Sequence, residues 1–295
     1  MTAEGLLLQV FAGLATGGIY ASLALALVMI YQATDVVNFA QGSMAMFSTY
    51  LCWTLLQVGL PYWVAFFATL VIAFVGGLII ERTVIRPVEN APILTIVIVT
   101  LGLVFIFTSV AGWIYSYIQK PFPSPFPSQP IKVGKIVLGT HDLGAIGVTL
   151  VVLLLLFLFF RYTTLGLAMR AAAQNPTSSR LCGIRVGWML ALGWGLAAVF
   201  GGVAGMMVAP VVFLDPNMMG GIQIYAFAAA TVGGFTSPLG AVVGGFLVGV
   251  IENLVGTYVS FIGTELKLTV ALAMIIIVLL VKPSGLFGRT YVRRV

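Results

Sequence analysis

The stretch RAAAQNPTSSRLCGIRV, residues 170–186, carries three arginines, a proline and no acid, and lies between two runs without a single charge, 146–160 and 187–209. Charge-free apolar runs recur along the whole chain of 295 residues, which is 61% hydrophobic and only 7% charged, with a mean hydropathy of +1.14. A soluble domain carries about 25% charged residues. The chain therefore reads as an all-α polytopic membrane protein, and the basic stretch as an island of chain between two membrane spans.

A helix needs roughly 20 apolar residues to cross the hydrocarbon core. By that measure the sequence predicts spans near 5–30, 37–58, 61–80, 93–115, 146–160, 187–209, 222–236, 239–259 and 267–281. The expected architecture is a bundle of about 8–10 helices, with nine as the best estimate. The seventh and eighth spans are divided only by Thr-Ser-Pro at 236–238, so one of the pair is a candidate for a re-entrant or broken helix, which membranes tolerate where backbone faces protein. Nine crossings with the N-terminus outside and the C-terminus cytoplasmic put ten of the fourteen Lys and Arg in inner loops. The positive-inside bias selects that orientation over its reverse. Nothing near the N-terminus resembles a basic n-region followed by a cleavage site, so the first apolar run is expected to be a retained helix.

The formal charge of +6 is gathered in three separate places, Arg82/Arg86, Arg161–Arg185 and Lys282–Arg294. That spacing is a topology signal and not a continuous phosphate-binding stripe, so no nucleic-acid partner is expected. Cys52 and Cys182 fall at opposite membrane faces, too far apart to bridge, and neither belongs to a metal-ligand or redox motif. The single histidine, His141, falls in a polar outer loop, where a solvated side chain is expected. No cofactor is indicated.

The outer loop, 119–145, contains KPFPSPFPSQP at 120–130. Prolines at that density favour extended polyproline II, either as a stiff spacer or as a docking surface. The pairs Gly13/Gly17, Gly201/Gly205, Gly240/Gly244 and Gly245/Gly249 have the small-x-x-x-small spacing that lets helix backbones approach closely. Helix packing is the expected use.

Within the basic island, Asn175 is an N-cap residue and Pro176 follows at the first helical position, where its missing N–H costs nothing. Gly183 supplies a left-handed stop. The segment thus reads as a short helix capped at both ends, outside the membrane on the cytoplasmic side, presenting Arg170, Arg180 and Arg185. Topology needs charge but no specific local fold, so this island is expected to dock on another protein.

The island resembles the coupling loop of ABC-importer permeases. The segments VVNFAQGSM (36–44), ERTVIRPV (81–88), RYTTLGLAMRAAAQNPTSSRLCGI (161–184), TVGGFTSPLGAVVGGFLVGVIENL (231–254) and KPSGLFGR (282–289) together resemble the branched-chain amino-acid permease family of the LivH type, over essentially the whole chain. The chain departs from the family pattern at Gln41, at Gln174 and in its proline-rich outer loop. The resemblance implies one transmembrane permease domain over 1–295, with a coupling loop at 161–186. Gly166, Arg170, Asn175, Pro176, Arg180, Gly183 and Ile184 would engage the ATPase. It implies a second permease subunit (a related chain, or itself as a homodimer), two ATP-binding-cassette subunits and a periplasmic solute-binding protein, all about a chain embedded in the lipid of the bacterial inner membrane. The chain would not itself be an enzyme. Consistently, Gly134-Lys135 lacks the upstream glycine of a P-loop.

Polar groups inside spans are functional candidates. Asn38 and Gln41 share a helix face, and their amides can hold a zwitterion or bond between helices. Glu252 lies about two-thirds of the way through the eighth span, where it should face the bundle interior or pair with a base, Lys267 being one candidate; its use is either in the pathway or in a structural ion pair or partner contact. Thr231, Gly233 and Gly234 sit where a broken helix would expose backbone. The resemblance implies leucine, isoleucine or valine as substrate, with urea or amides as the alternative. An ion-coupled secondary transporter built on Glu252, or a passive channel, would leave the capped island without a purpose.

Overall fold

The computed structural model describes all residues except 1, 2, 35, 128, 130, 134, 135, 260, 264, 265 and 289–295. Lys135, Ser128 and Pro130 of the outer loop, and Arg289, Arg293 and Arg294 of the C-terminal basic cluster, therefore lie outside the described residues. The helices are α1 (Ala3–Thr34), α2 (Gln41–Gln57), α3 (Tyr62–Ile80), α4 (Ile93–Tyr115), α5 (Thr140–Tyr162), α6 (Thr164–Gln174), α7 (Pro176–Leu181), α8 (Val186–Val212), α9 (Met219–Gly233), α10 (Pro238–Tyr258) and α11 (Lys267–Val281). The strands among the described residues are a small antiparallel hairpin, β1 (Ile131–Val133) and β2 (Ile136–Leu138), with Ile131 opposite Leu138.

Apart from α6 and α7, each helix coincides with one predicted span. Among the described residues, six helical stretches are long and apolar enough to cross a membrane: those of α1, α3 with its extension to Val88, α4, α5, α8 and α10. Helix α2 has 17 residues and α9 and α11 have 15 each, about 22–26 Å at 1.5 Å per residue, short of the ~30 Å core. Helix α5 starts at Thr140, six residues before its predicted start at 146. Asp142 in its first turn favours a helix N-terminus through the macrodipole, while the polar Thr140-His141-Asp142 ended the apolar reading too early. His141 is therefore helical and half-buried, its ring 6.0 Å from that of Phe126.

The chain divides into two compact units. The first comprises 1–28, 126–150 and 221–295, and the second 29–125 and 151–220. In the first unit α1 and α10 meet backbone to backbone. A Cβ on Gly13 would lie 2.7 Å from Val250 Cα, one on Gly17 2.8 Å from Phe246 Cα, and one on Gly249 2.4 Å from the Gly13 carbonyl oxygen. Helix α9 runs antiparallel along α10, with Gly233 against Gly240 and Ala229 against Gly244. It therefore lies along its neighbour without folding back on itself.

In the second unit α8 is the hub, its buried run including Trp194, Ala197, Gly201 and Gly205. Gly77 of α3 packs on the Trp194 carbonyl, at 2.6 Å from an added Cβ, and Gly205 on the Ala45 carbonyl of α2, at 2.7 Å. The first part of the proline-rich loop is fastened to the same unit. Lys120 and Leu214 exchange two backbone hydrogen bonds of 2.9 Å, Phe122 is buried with its ring edge-on to Tyr62, and Lys120 Nζ lies 5.0 Å from the Trp53 ring centroid.

Candidate functional site

The basic island folds as two short helices. Thr163 caps α6, its hydroxyl accepting from the Gly166 N–H at 3.0 Å. Gly166 lets α6 turn tightly off α5, since a Cβ there would sit 2.4 Å from the Phe159 carbonyl oxygen. Gly166, Met169 and Ala172 are buried, one face at three-residue spacing, while Leu167 and Arg170 face outward. Asn175 then caps α7, accepting from the Ser178 N–H at 2.9 Å, with Pro176 at the first helical position. At the other end Ile184 N–H donates to Ser179 O and Gly183 N–H to Arg180 O, both at 3.0 Å, with Gly183 at φ +81°. This is a Schellman stop, which needs the left-handed residue that glycine supplies. Arg170, Asn175, Pro176, Arg180 and Gly183 are exposed, Ile184 is half-buried, and Leu181 is 86% exposed. The island thus offers a preformed, basic surface with an apolar tip.

The intramembrane amides are engaged inside the second unit. Asn38 and Gln41 are both buried. Asn38 Nδ2 donates to Gln41 Oε1 at 3.2 Å, and Gln41 Nε2 donates across to the Ala197 carbonyl of α8 at 2.9 Å. Asn38 precedes α2 and so does not share a helix face with Gln41 as the sequence suggests; its Oδ1 accepts from the Ala40 N–H at 3.0 Å in the turn that leads into α2. Each amide oxygen and nitrogen has a partner, so the pair serves as an interhelical tie.

In the first unit, Glu252 is 6% exposed. Tyr20 Oη donates to its Oε2 at 2.9 Å, Tyr225 bonds to it as well, and the two phenol rings stack at 4.7 Å. Lys267, one candidate partner from the sequence, has its Nζ 4.0 Å from Oε1 and donates to Asn253 Oδ1 at 3.4 Å. Asn253 in turn donates to Gln9 Oε1 at 2.7 Å. Tyr20 and Tyr225 gave no sequence signal, because an aromatic residue in an apolar run reads as core.

Thr231, Gly233 and Gly234 occupy a closed joint. The carbonyls of Val232 and Gly233 accept from the N–H groups of Leu286 and Phe287 at 2.8 and 3.0 Å. Gly234 (φ +102°) lies against the Ser284–Gly288 segment, and Thr231 Oγ1 donates to Phe227 O at 2.7 Å. The Thr-Ser-Pro divider is a cap: Ser237 Oγ accepts from the Gly240 N–H at 3.0 Å, and Pro238 opens α10.

One charged group passed unremarked in the sequence. Glu81, at the end of α3, is 1% exposed, and its Oε2 has no hydrogen-bond partner. The signal was available: an acid ending an apolar run, with arginines one and five residues on. Among the described residues, no group of three or more His, Cys, Asp and Glu is placed to hold a metal ion, and Cys52 and Cys182 are free, the first buried and the second exposed.

The sequence has relatives along its full length. LivH of Salmonella typhimurium, a high-affinity branched-chain amino acid transport system permease protein, is 32% identical over 97% of both chains. A probable branched-chain amino acid transport permease protein LivH of Methanocaldococcus jannaschii is 32% identical over 90% of this chain and 87% of its own. Among solved structures, PsaBC from Streptococcus pneumoniae in complex with Fab contains a chain that aligns with 92% of this one and 91% of its own, at a TM-score of 0.48 and 15% identity. The family model described as branched-chain amino acid transport system / permease component matches residues 9–279, and the chain belongs to that family.

Proposed function

We propose that this protein is the membrane-spanning permease subunit of an ABC importer that moves branched-chain or related amino acids across the bacterial inner membrane. ATP hydrolysis is the work of separate ATP-binding subunits that dock on α6 and α7. A periplasmic solute-binding protein delivers the substrate, and a second permease chain, related or identical, completes the pathway. The observation that carries this reading is the doubly capped helix Pro176–Leu181, with Arg180 and Leu181 exposed. A solvated loop has no need of an N-cap, an N1 proline and a Schellman stop within nine residues, whereas a part that transmits force to a partner needs a fixed shape. The names of the relatives support the substrate class.

We also place nine crossings with the N-terminus outside. Helices α2, α9 and α11 complete theirs with their flanking turns, and local thinning of the bilayer accommodates short spans at modest cost. Asn38 and Gln41 act as scaffold between α2 and α8. Glu252 is the intramembrane charge nearest in character to a pathway group, held in reserve by its two tyrosines and Lys267.

The test is purification of the tagged chain in mild detergent, assayed for co-purifying ATP-binding subunits and for leucine uptake after reconstitution. The wild type should bring the ATPase with it, and Asn175→Ala combined with Arg180→Glu should lose it. Uptake by the wild-type chain with no ATPase bound would overturn the reading and make Glu252 the residue to pursue.

A further inference from the structure

After Ile80, helix α3 widens into a single π-helical turn, Glu81–Ile85, followed by a short 3₁₀ turn at Arg86–Val88. Isolated π-turns are rare and concentrate at functional positions. Here the widened turn directs three charged residues to one place. Glu81 is buried, and Arg86 and then Arg82 supply the opposite charge that acts on it. Both guanidinium groups also reach the first turn of α8. Arg82 Cζ lies 4.2 Å from the centroid of the Trp188 ring. Arg86 Nη2 lies 2.6 Å from where a Cβ on Gly187 would be, so the arginine occupies the space that any larger residue would fill.

Gly187 and Trp188 come two and three residues after Arg185, the last arginine of the basic island and the N-cap of α8. From this point α8 is bound to α3 through Gly77 and to α2 through Gly205, with the Gln41 amide as a cross-tie. The three helices are thus joined to one another, and Arg82 and Arg86 add a contact between the end of α3 and the start of α8, where the island enters. We propose that Glu81, Arg82 and Arg86 are a clamp that positions the start of α8, so that a displacement of α6 and α7 moves α2, α3 and α8 as one body. The inference rests on the permease reading above and adds a residue-level route for the force. Arg82 and Arg86 hold the first turn of α8, and Glu81 is the buried acid of the same widened turn, a positioning residue in this reading. Without the clamp the first turn of α8 gives way, and ATP is hydrolysed with little transport.

The experiment reconstitutes the complete transporter in proteoliposomes and measures ATP hydrolysis and uptake of radiolabelled leucine in the same vesicles. Arg82→Gln and Trp188→Leu alter surface groups and Gly187→Leu displaces the Arg86 head. In each, hydrolysis should stay within about twofold of wild type while leucine moved per ATP falls about tenfold or more. Arg86→Lys keeps the charge and should retain an intermediate ratio. Glu81→Gln should behave like Arg82→Gln; should it fail to fold, the surface variants decide the matter. An unchanged uptake-to-hydrolysis ratio in Arg82→Gln and Trp188→Leu, or a parallel loss of both activities, overturns the clamp and leaves the permease reading intact. A wild-type complex whose uptake is independent of ATP overturns both.

Discussion

Replacing Gly201 by alanine tests how α2 is held to α8. The added Cβ would lie 2.4 Å from Gln41 Nε2 and an ordinary 3.5 Å from Ala45 Cβ, so the single obstacle is the amide. Gln41 is completely buried and cannot swing to water, and its displaced Nε2 loses the 2.9 Å bond to the Ala197 carbonyl. A buried amide left without a partner costs about 1–3 kcal/mol in soluble proteins, whereas interhelical hydrogen bonds measured in membranes average about 0.6 kcal/mol. We expect a penalty of about 1–2 kcal/mol between these bounds, partly masked by the ~1 kcal/mol that alanine gains over glycine in a helix. A double-mutant cycle removes the masking, because in a Gln41→Ala background the clash is absent and Gly201→Ala becomes neutral or stabilising. The assay is an SDS titration in mixed micelles followed by tryptophan fluorescence, with the buried Trp194 one turn from Ala197 as an intrinsic reporter. Gly205→Ala is the control: its Cβ meets the Ala45 backbone oxygen at 2.7 Å, which no side-chain truncation relieves. A coupling energy between Gly201 and Gln41 below about 0.3 kcal/mol, well under the membrane average, would refute the tie.

Three further outcomes follow from the same structure. Lys267→Met leaves the buried Glu252 carboxylate with tyrosine partners alone. It should destabilise the chain by about 1–3 kcal/mol, below the 3–5 of a fully buried pair, since the Lys267 side chain is 24% exposed; Glu252→Gln in the same chain should restore most of the loss in an SDS titration. Gly249→Leu drives a side chain into the Gly13 carbonyl and should abolish the monodisperse peak in fluorescence-detected size exclusion, whereas Gly76→Leu, which meets nothing within 4 Å, should leave it unchanged. Gly183→Ala forces a non-glycine residue to φ +81°, a strain of about 1–2 kcal/mol, and should loosen the island enough to raise amide exchange across Pro176–Leu181.

Much of this architecture is legible in the residues because the membrane imposes one solution on them. Each long apolar run became a helix, since lipid offers the backbone no other partner. The Gly13/Gly17 and Gly245/Gly249 spacings were legible for the same reason, as they are the places where two backbones meet. The island was legible from Asn175, Pro176 and Gly183 because caps are local chemistry. What was not legible depends on contacts distant in sequence. Tyr20 and Tyr225 reach Glu252 from 232 and 27 residues away, and nothing in an apolar run marks one tyrosine as a hydrogen-bond donor. Gly233 and Gly234 looked like an opening in a helix, yet the Ser284–Gly288 segment closes it, and only the fold brings those two stretches together. Glu81 drew no notice, because a hydropathy reading stops at the first charge and cannot tell that the helix continues through it.

The central claim is that the island of α6 and α7 is a cytoplasmic docking surface for an ATP-binding subunit, and the chain carries its own probe for it. Cys182, the C-cap of α7, is exposed, whereas Cys52 is buried. A membrane-impermeant maleimide applied to inverted and to right-side-out vesicles reads both the side on which Cys182 lies and its cover. The expected result is labelling in inverted vesicles stripped of the ATP-binding subunits, protection when those subunits are bound, and no labelling from the outside. Labelling of Cys182 in right-side-out vesicles, or equal labelling with and without the bound subunits, would contradict it.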